Sequence, residues 1–204
     1  ARDLASRCLV AVGPGAVGVL LDALSDAAQA RRAELVRVLE QIRDPEAVKP
    51  LVDVLDDADE ELAGAAVEAL VAFGQTSVGP LLDQLESPSE LMRARVSETL
   101  RRLGDVVRSA LVEIAATAEP SRAAAALGVV RGMGATEVLP ALVGRLGDDP
   151  KIAGPAAETL LEHAGQALPL LCGGLESDAE MVRGRCGELL VQIGEYKKGQ
   201  DALA

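Results

Sequence analysis

The chain has 204 residues, of which 49% are apolar and 25% are charged, and this composition excludes a wholly disordered protein. It contains one Phe, one Tyr and no Trp, so its core must be built from Leu, Val, Ile and Ala, which favours closely packed helices. The net charge of −12 argues against nucleic acid as a partner, because phosphate binding relies on Lys and Arg.

The cysteine content and the apolar segments indicate the cellular compartment of the chain. Three cysteines without a regular spacing predict reduced thiols rather than a secreted disulfide framework. We find no signal peptide and no apolar run of about eighteen residues, so no membrane association is expected. The predicted location is the cytoplasm.

A short apolar motif returns every 30 residues, with one step of 31, and usually ends in glycine. Its last residues, which we call anchors, are Gly13, Arg43, Gly74, Gly104, Gly134, Ala164 and Gly194. Four residues before the anchors stand Leu9, Leu39, Leu70, Leu100, Val130, Leu160 and Leu190. With further apolar residues eight before each anchor, this spacing predicts an amphipathic helix that ends at every anchor.

A second, shorter helix is predicted soon after most anchors. It is visible in "AVKPLVDVL" (47–55), "SVGPLLDQL" (77–85), "EVLPALVGRL" (137–146) and "ALPLLCGGL" (167–175). Its prolines are expected near the helix start, where a missing amide proton does no harm; they are Pro50, Pro80, Pro140 and Pro169. Acidic or Ser/Pro joints follow this helix and provide turns and N-caps.

Each period is therefore a helical hairpin, in which we call the helix after an anchor the first helix and the helix ending at the next anchor the second. One hairpin cannot bury its apolar stripe alone, so neighbouring hairpins must stack. Residues 1–204 are expected to form a single solenoid. The predicted units are 14–43, 44–74, 75–104, 105–134, 135–164 and 165–194, with partial units at 1–13 and 195–204.

The anchor glycine, the first-helix proline and the acid-Pro joint resemble HEAT repeats, specifically the short bacterial HEAT-like type named after phycobilisome lyase subunits. Residues 43–70 and 175–194 carry the resemblance best, whereas 106–134 lacks the proline and the second-helix Val-Arg pair. The resemblance implies an all-α fold, a right-handed α-solenoid of the HEAT/armadillo kind whose second helices line a concave face. It implies no single activity, because such folds host many functions.

The only histidine, His163, precedes Ala164 by one residue, in a column that is otherwise apolar. We expect it to fill a packing slot and to bond a carbonyl or Glu162. A catalytic pair with Cys172 is the alternative, but it needs a third group to orient the imidazole, and none is visible. Cys8 and Cys186 are expected to be small apolar filler.

Other chemistry finds little support in the residues. Residues 13–18 match G-x-G-x-x-G but follow a predicted helix instead of the strand that a dinucleotide site needs. One His and three scattered Cys offer no metal-ligand spacing. HEAT-type deoxyhypusine hydroxylases carry several His-Glu pairs, whereas this chain has a single Glu162-His163 in reverse order. HEAT-like DNA glycosylases use a basic, aromatic groove, which an acidic chain without Trp does not resemble.

The second helices carry most of the arginines, and the first helices carry acids at Asp22, Asp53, Asp83 and Glu113. Arginine is favoured at recognition surfaces, so the second-helix face is the predicted partner surface. Its candidate residues are Arg37, Glu68, Arg95, Glu98, Arg102, Glu158, Glu162, Arg185, Glu188 and Gln192. The simpler interpretation makes Arg95–Glu98 and Arg185–Glu188 ordinary i,i+3 pairs on a solvated face.

The sequence thus predicts a non-enzymatic, protein-binding scaffold or regulatory module that uses its concave second-helix face. One alternative is a lyase-like or chaperone-like accessory subunit that acts on a cofactor-bearing protein. Another is a structural spacer within a longer chain. We expect no cofactor and no metal, and the expected partner is another protein or a peptide segment, with no nucleic acid and no membrane.

Overall fold

The computed structural model describes residues 2–26 and 29–201 of the protein. Within these ranges every regular element is a helix and no strand occurs, so the predicted all-α fold is confirmed. The α-helices are α1 Arg2–Val12, α2 Val17–Asp26, α3 Gln29–Ile42, α4 Val48–Val54, α5 Glu60–Phe73, α6 Gln75–Asp83, α7 Glu90–Leu103, α8 Asp105–Thr117, α9 Pro120–Gly132, α10 Leu139–Arg145, α11 Pro150–Glu162, α12 Ala164–Gly174 and α13 Glu180–Asp201. Two 3₁₀ turns, Gly13–Ala16 and Pro45–Ala47, precede α2 and α4.

The chain divides into two compact units, residues 1–107 and 108–204. In unit 1 the second helices α3, α5 and α7 pack side by side, and the first helix α4 packs against α6. Unit 2 repeats the arrangement, with α9, α11 and α13 in one layer and α10 against α12 in the other. Each unit is therefore a two-layer stack of helical hairpins, the architecture of an α-solenoid.

The predicted leucine stripe forms the seam between the layers. Leu39, Leu70, Leu100 and Leu160 are completely buried, whereas Leu190 on α13 is half-buried. Each fully buried leucine contributes roughly 1.5–3 kcal/mol to folding. The stripe prediction is confirmed in the interior of both stacks.

The joints start the second helices with side-chain caps. Asp59 accepts hydrogen bonds from the backbone N–H groups of Glu61 and Leu62 at the start of α5. Ser89 accepts one from Met92 N–H at the start of α7, and Asp149 one from Lys151 N–H at the start of α11. These bonds satisfy amides that have no intrahelical acceptor, as the joint chemistry predicts.

The prediction that proline marks the start of each first helix is only partly correct. Pro140 lies in the first turn of α10, but Pro80 and Pro169 lie inside α6 and α12. These two helices begin directly after the turn, at Gln75 and at Ala164, one turn earlier than the prolines suggest. The prolines are therefore tolerated in the helix interior, where each contributes no amide proton.

Five anchors have a positive φ at the end of the preceding helix. Gly13, Gly74, Gly104 and Gly134 have φ between 58° and 69°, and Arg43 has a φ of 56°. The prediction of a helix end is wrong at the last anchor, because α13 continues through residue 194 to Asp201. The segment "EYKK" that follows consists largely of good helix formers, and one interior glycine costs only about 1 kcal/mol.

One described stretch, Ser6–Ser25, is long and apolar enough to cross a membrane by length and composition alone. This finding corrects the expectation that no apolar run of such length exists. The stretch is interrupted by the 3₁₀ turn Gly13–Ala16, and its Leu20 and Leu24 lie in the core of unit 1. Core helices of globular proteins and signal sequences share this length and apolar composition, so the stretch is a weak indication of a membrane span.

Candidate partner-binding surface

An open groove lies between the second helices α3 and α5 of unit 1. Its volume is about 470 Å³, and its lining consists of Arg37, Glu40, Glu60, Glu61, Gly64, Ala65 and Glu68. Gly64 and Ala65 bring no long side chain, and a Cβ added at Gly64 would meet no atom within 4 Å. The groove is therefore walled by charged side chains and has open space above its smallest residue.

Ion pairs across neighbouring second helices fix most of these carboxylates. Arg37 contacts Glu61 at 3.2 Å, and Arg102 of α7 holds Glu68 through two hydrogen bonds of 2.7 and 2.6 Å. The hydrogen bonds from Arg102 lower the pKa of Glu68, and those to Glu68 raise the pKa of Arg102. The carboxylate of Glu40 makes no hydrogen bond or ion pair with the described residues, so it can receive a partner's donor.

Arg95, one of the predicted surface residues, is mostly buried and bonds the chain's own backbone. Its side chain is 11% exposed, and one guanidinium nitrogen donates to the carbonyls of Leu55 and Asp57 at 2.6 and 2.5 Å. The other terminal nitrogen contacts Glu60 at 2.8 Å. The simpler interpretation of Arg95 and Glu98 as an i,i+3 ion pair is therefore wrong. Arg95 caps the end of α4, and Glu98 pairs with Arg101 at 2.7 Å.

Unit 2 carries a related set of charges on its second helices. Arg131 of α9 binds Glu158 at 3.0 Å and Glu162 at 3.2 Å, both on α11. The hydrogen bonds from Arg131 lower the pKa of Glu162. On α13, Arg185 pairs with Glu188 at 3.3 Å, as the simpler interpretation predicts, and Gln192 is exposed.

The sequence reasoning missed Arg131, Glu40, Glu60 and Glu61. Arg131 stands three residues before its anchor, whereas Arg102 stands two before, so a strict column alignment separates them. Glu60 and Glu61 follow the N-cap Asp59, a position that also explains them as first-turn acids. Their part in the groove becomes visible only when α3 and α5 are placed side by side.

His163 and Cys172 are not a catalytic pair in this structure. His163 is half-buried at the end of α11, and its Nδ1 lies 3.0 Å from the carbonyl oxygen of Thr159, one of the two partners expected. Cys172 is exposed on α12, and the helical rise alone places it about 13 Å further along.

The other two cysteines differ from each other. Burial raises the pKa of the Cys186 thiol, in agreement with a filler role, and a Cβ added at Gly174 would meet its sulfur at 2.5 Å. Cys8 is exposed, so its assignment as core filler is wrong. Helix α1 packs against α3, and Cys8 is turned away from that contact.

The structure also shows the surroundings of the G-x-G-x-x-G match and of the residue types that can bind a metal. The residues at 13–18 that match G-x-G-x-x-G lie between α1 and α2, without the preceding strand of a dinucleotide site. Over the described ranges, no group of three or more His, Cys, Asp or Glu side chains could hold a metal ion.

The partly buried ion pair between Arg32 and Asp57 in unit 1 is expected to make the stability of the fold depend on pH. The backbone N–H of Asp59 and then the side chain of Arg32, at 2.6 Å, lower the pKa of Asp57. A depressed carboxyl pKa stabilises the fold above the unfolded value of about 3.9 and loses this contribution as the pH falls through the folded value. We expect Asp57→Asn to be less stable than the wild type at neutral pH and equally stable in strong acid. Urea denaturation at a series of pH values measures this, and a difference that persists in strong acid would contradict it.

Comparison with known proteins gives one family match and several structural similarities. Residues 17–85 match the family model described as HEAT repeats, and no curated protein matches the chain. The chain is similar to human deoxyhypusine hydroxylase in complex with glycerol, at 22% identity over 94% of this chain and 89% of that chain, with a TM-score of 0.40. It is also similar to a designed armadillo repeat protein in complex with the peptide (KR)4, at 20% identity over 85% of this chain and 98% of that chain, with a TM-score of 0.34. The matched segment holds α2 to α6 and both walls of the groove, so the similarity to HEAT repeats covers this part of an all-α chain.

Proposed function

We propose that this chain is a non-enzymatic protein-binding module that holds a segment of another protein on the second-helix face of unit 1. The groove between α3 and α5 is the observation that carries the proposal. It is formed by two helices whose inner faces are packed into the core, so its walls are positioned before a partner arrives. Rigid helical walls reduce the entropy lost on binding.

The groove favours a polar, extended segment. Glu60, Glu61 and Glu68 each pair with an arginine, and Glu40 is the lining carboxylate without an internal partner. A segment that brings hydrogen-bond donors to Glu40 and lies across Gly64 would use both the charge and the open space. Such a segment need not be strongly basic, since Arg37 also lines the groove.

The corresponding face of unit 2 supplies a second set of candidate contacts. Glu158 and Glu162 are held by Arg131, while Arg185, Glu188 and Gln192 are exposed on α13. We assign these residues a secondary role in partner binding, because they do not line the groove between α3 and α5. The module is assigned to the cytoplasm, consistent with its reduced thiols and acidic surface.

The experiment that tests this function fills the groove without disturbing the fold. Gly64→Gln places a long side chain in open space, on a helix where glutamine is favoured. We expect this variant to fold like the wild type and to bind the partner about tenfold more weakly. The partner is identified by a photo-crosslinking residue at position 64 in the source cell, and the affinity is then measured with the purified pair.

Gly18→Gln is the matched control, since Gly18 is an exposed glycine on the first helix α2 with equal space around it. A crosslinker at position 18 should not capture the same protein, and Gly18→Gln should leave the affinity unchanged. The proposal is wrong if the two glutamine variants bind alike, or if position 64 captures no protein.

The accessory-subunit alternative has no specific observation in its favour. It requires His163, Cys172 and acidic side chains to meet in one pocket. His163 bonds a carbonyl of its own helix, and Cys172 lies exposed on the next helix. The groove in unit 1 therefore supports the protein-binding function better.

A further inference from the structure

A second pocket of about 380 Å³ lies on the opposite layer of unit 1, where the first helices α2 and α4 end. One of its walls is apolar. Leu24 and Val54 are almost completely buried beneath it, and Leu21 and Pro50 are half-buried at its side. The other wall carries Arg32 and three aspartates, so the pocket is amphipathic.

The charges of this pocket do not cancel. Arg32 donates to the carboxylate of Asp57 at 2.6 Å and to the carbonyl of Leu24 at 3.2 Å, and these two bonds fix it on one side. Asp56 accepts a hydrogen bond from the Ser89 hydroxyl, which leaves its negative charge in place. Asp53 is exposed, and its carboxylate makes no hydrogen bond or ion pair within the part of the chain that the structure describes.

Among the lining side chains, three carboxylates against one guanidinium leave a net charge of −2, and the Arg95 guanidinium lies outside the lining, beside Asp57. A ligand that suits both walls has an aliphatic stem and a cationic end. The stem would cover the half-buried Leu21 and Pro50, and the cation would reach Asp53, whose carboxylate has no internal partner. Long basic side chains combine these two properties, because their methylene groups bury readily while the charged end stays near water.

We infer that this pocket binds the side chain of an arginine or lysine from a partner protein. The site is separate from the groove between α3 and α5, and it stands or falls independently of the function proposed for that groove. Its recognition depends on both walls together: the carboxylates select a cation, and the apolar wall selects a long stem.

The test uses the full chain and two tripeptides of equal shape. Acetyl-Gly-Arg-Gly-amide carries the cation, and the same peptide with citrulline in place of arginine is a neutral isostere. Titrations followed by amide chemical shifts should show saturable binding of the arginine peptide, with changes confined to residues 21–25, Arg32 and residues 50–57. The citrulline peptide and the methylguanidinium ion, which lacks the stem, should cause no saturable change.

Asp53→Asn should weaken the arginine peptide about fivefold, since it removes the uncompensated charge. Glu46→Gln is the matched control: it removes the same charge from an exposed residue outside the lining and should change the affinity less than about twofold. Asp53 lies on the helix surface, so unfolding midpoints should be equal in both variants. Equal effects of the two substitutions, equal binding of the two peptides, or shifts spread over all exposed carboxylates would overturn the assignment.

Discussion

Replacing Arg95 by Met is expected to lower the free energy of unfolding by about 2–3 kcal/mol. The guanidinium donates to the carbonyls of Leu55 and Asp57, which end α4 and begin the following joint. Methionine keeps the aliphatic stem but removes both donors, so these carbonyls lose their charge-assisted bonds in a site where the side chain is only 11% exposed. The pair with Glu60 contributes little, because that carboxylate is 84% exposed.

Urea denaturation measures the loss, and hydrogen exchange in α4 and α5 shows where it acts. Arg101→Met is the matched control, since Arg101 lies on the same helix but is 42% exposed and pairs with Glu98 at the surface. This control should change the stability by less than about 0.5 kcal/mol. Equal losses in the two variants would show that Arg95 is an ordinary surface residue and would restore it to the partner surface.

Arg95 also shows why the sequence predicts the fold better than the site. The i,i+3 spacing places Arg95 beside Glu98 on one helix. The Arg95 guanidinium nevertheless reaches the carbonyl of Leu55, 40 residues earlier. In the same way Arg102 reaches Glu68, 34 residues earlier, and Arg131 reaches Glu162, 31 residues later. These pairings depend on how far neighbouring helices are shifted along their axes, and the repeat length does not determine that shift.

The fold itself depends on signals that are local. Leu39, Leu70 and Leu100 repeat at the spacing of one hairpin, and each is completely buried. Burial of this stripe is possible only when hairpins stack, so the period is enough to predict the architecture. Within the groove, Arg37 and Glu68 were predicted because each stands six residues before its anchor, whereas Glu40 and Glu61 stand elsewhere and were missed.

Helix ends were predicted less well than helix faces. The anchor residue sets the end only where the backbone takes a positive φ, and at Ala164 it does not: His163 turns the chain with φ −108° and ψ 36°. At the last anchor the helix simply continues to Asp201. A glycine permits the left-handed conformation but does not require it, so its presence alone does not stop a helix.

Replacing Gly74 by Ala is expected to cost about 2 kcal/mol of stability. Gly74 ends α5 with φ 58° and ψ −126°, a combination that side chains with a Cβ rarely adopt. A Cβ added there would meet no atom within 4 Å, so the cost arises from the backbone and not from a clash. Gly64→Ala is the matched control, because Gly64 lies inside α5 with equal space, and there alanine should stabilise the chain by about 0.5–1 kcal/mol.

Arg43 tests the same argument with the opposite sign. It occupies an anchor with a φ of 56°, where a residue other than glycine bears about 1–2 kcal/mol of strain. Glycine removes the strain but gains roughly 0.4–1 kcal/mol of unfolded-chain entropy, so Arg43→Gly should stabilise the protein by about 0.5–1 kcal/mol. Denaturation of the three variants in parallel separates backbone geometry from packing. If Gly74→Ala and Gly64→Ala shift the stability alike, or if Arg43→Gly destabilises the chain, the positive φ of the anchors is not what ends these helices.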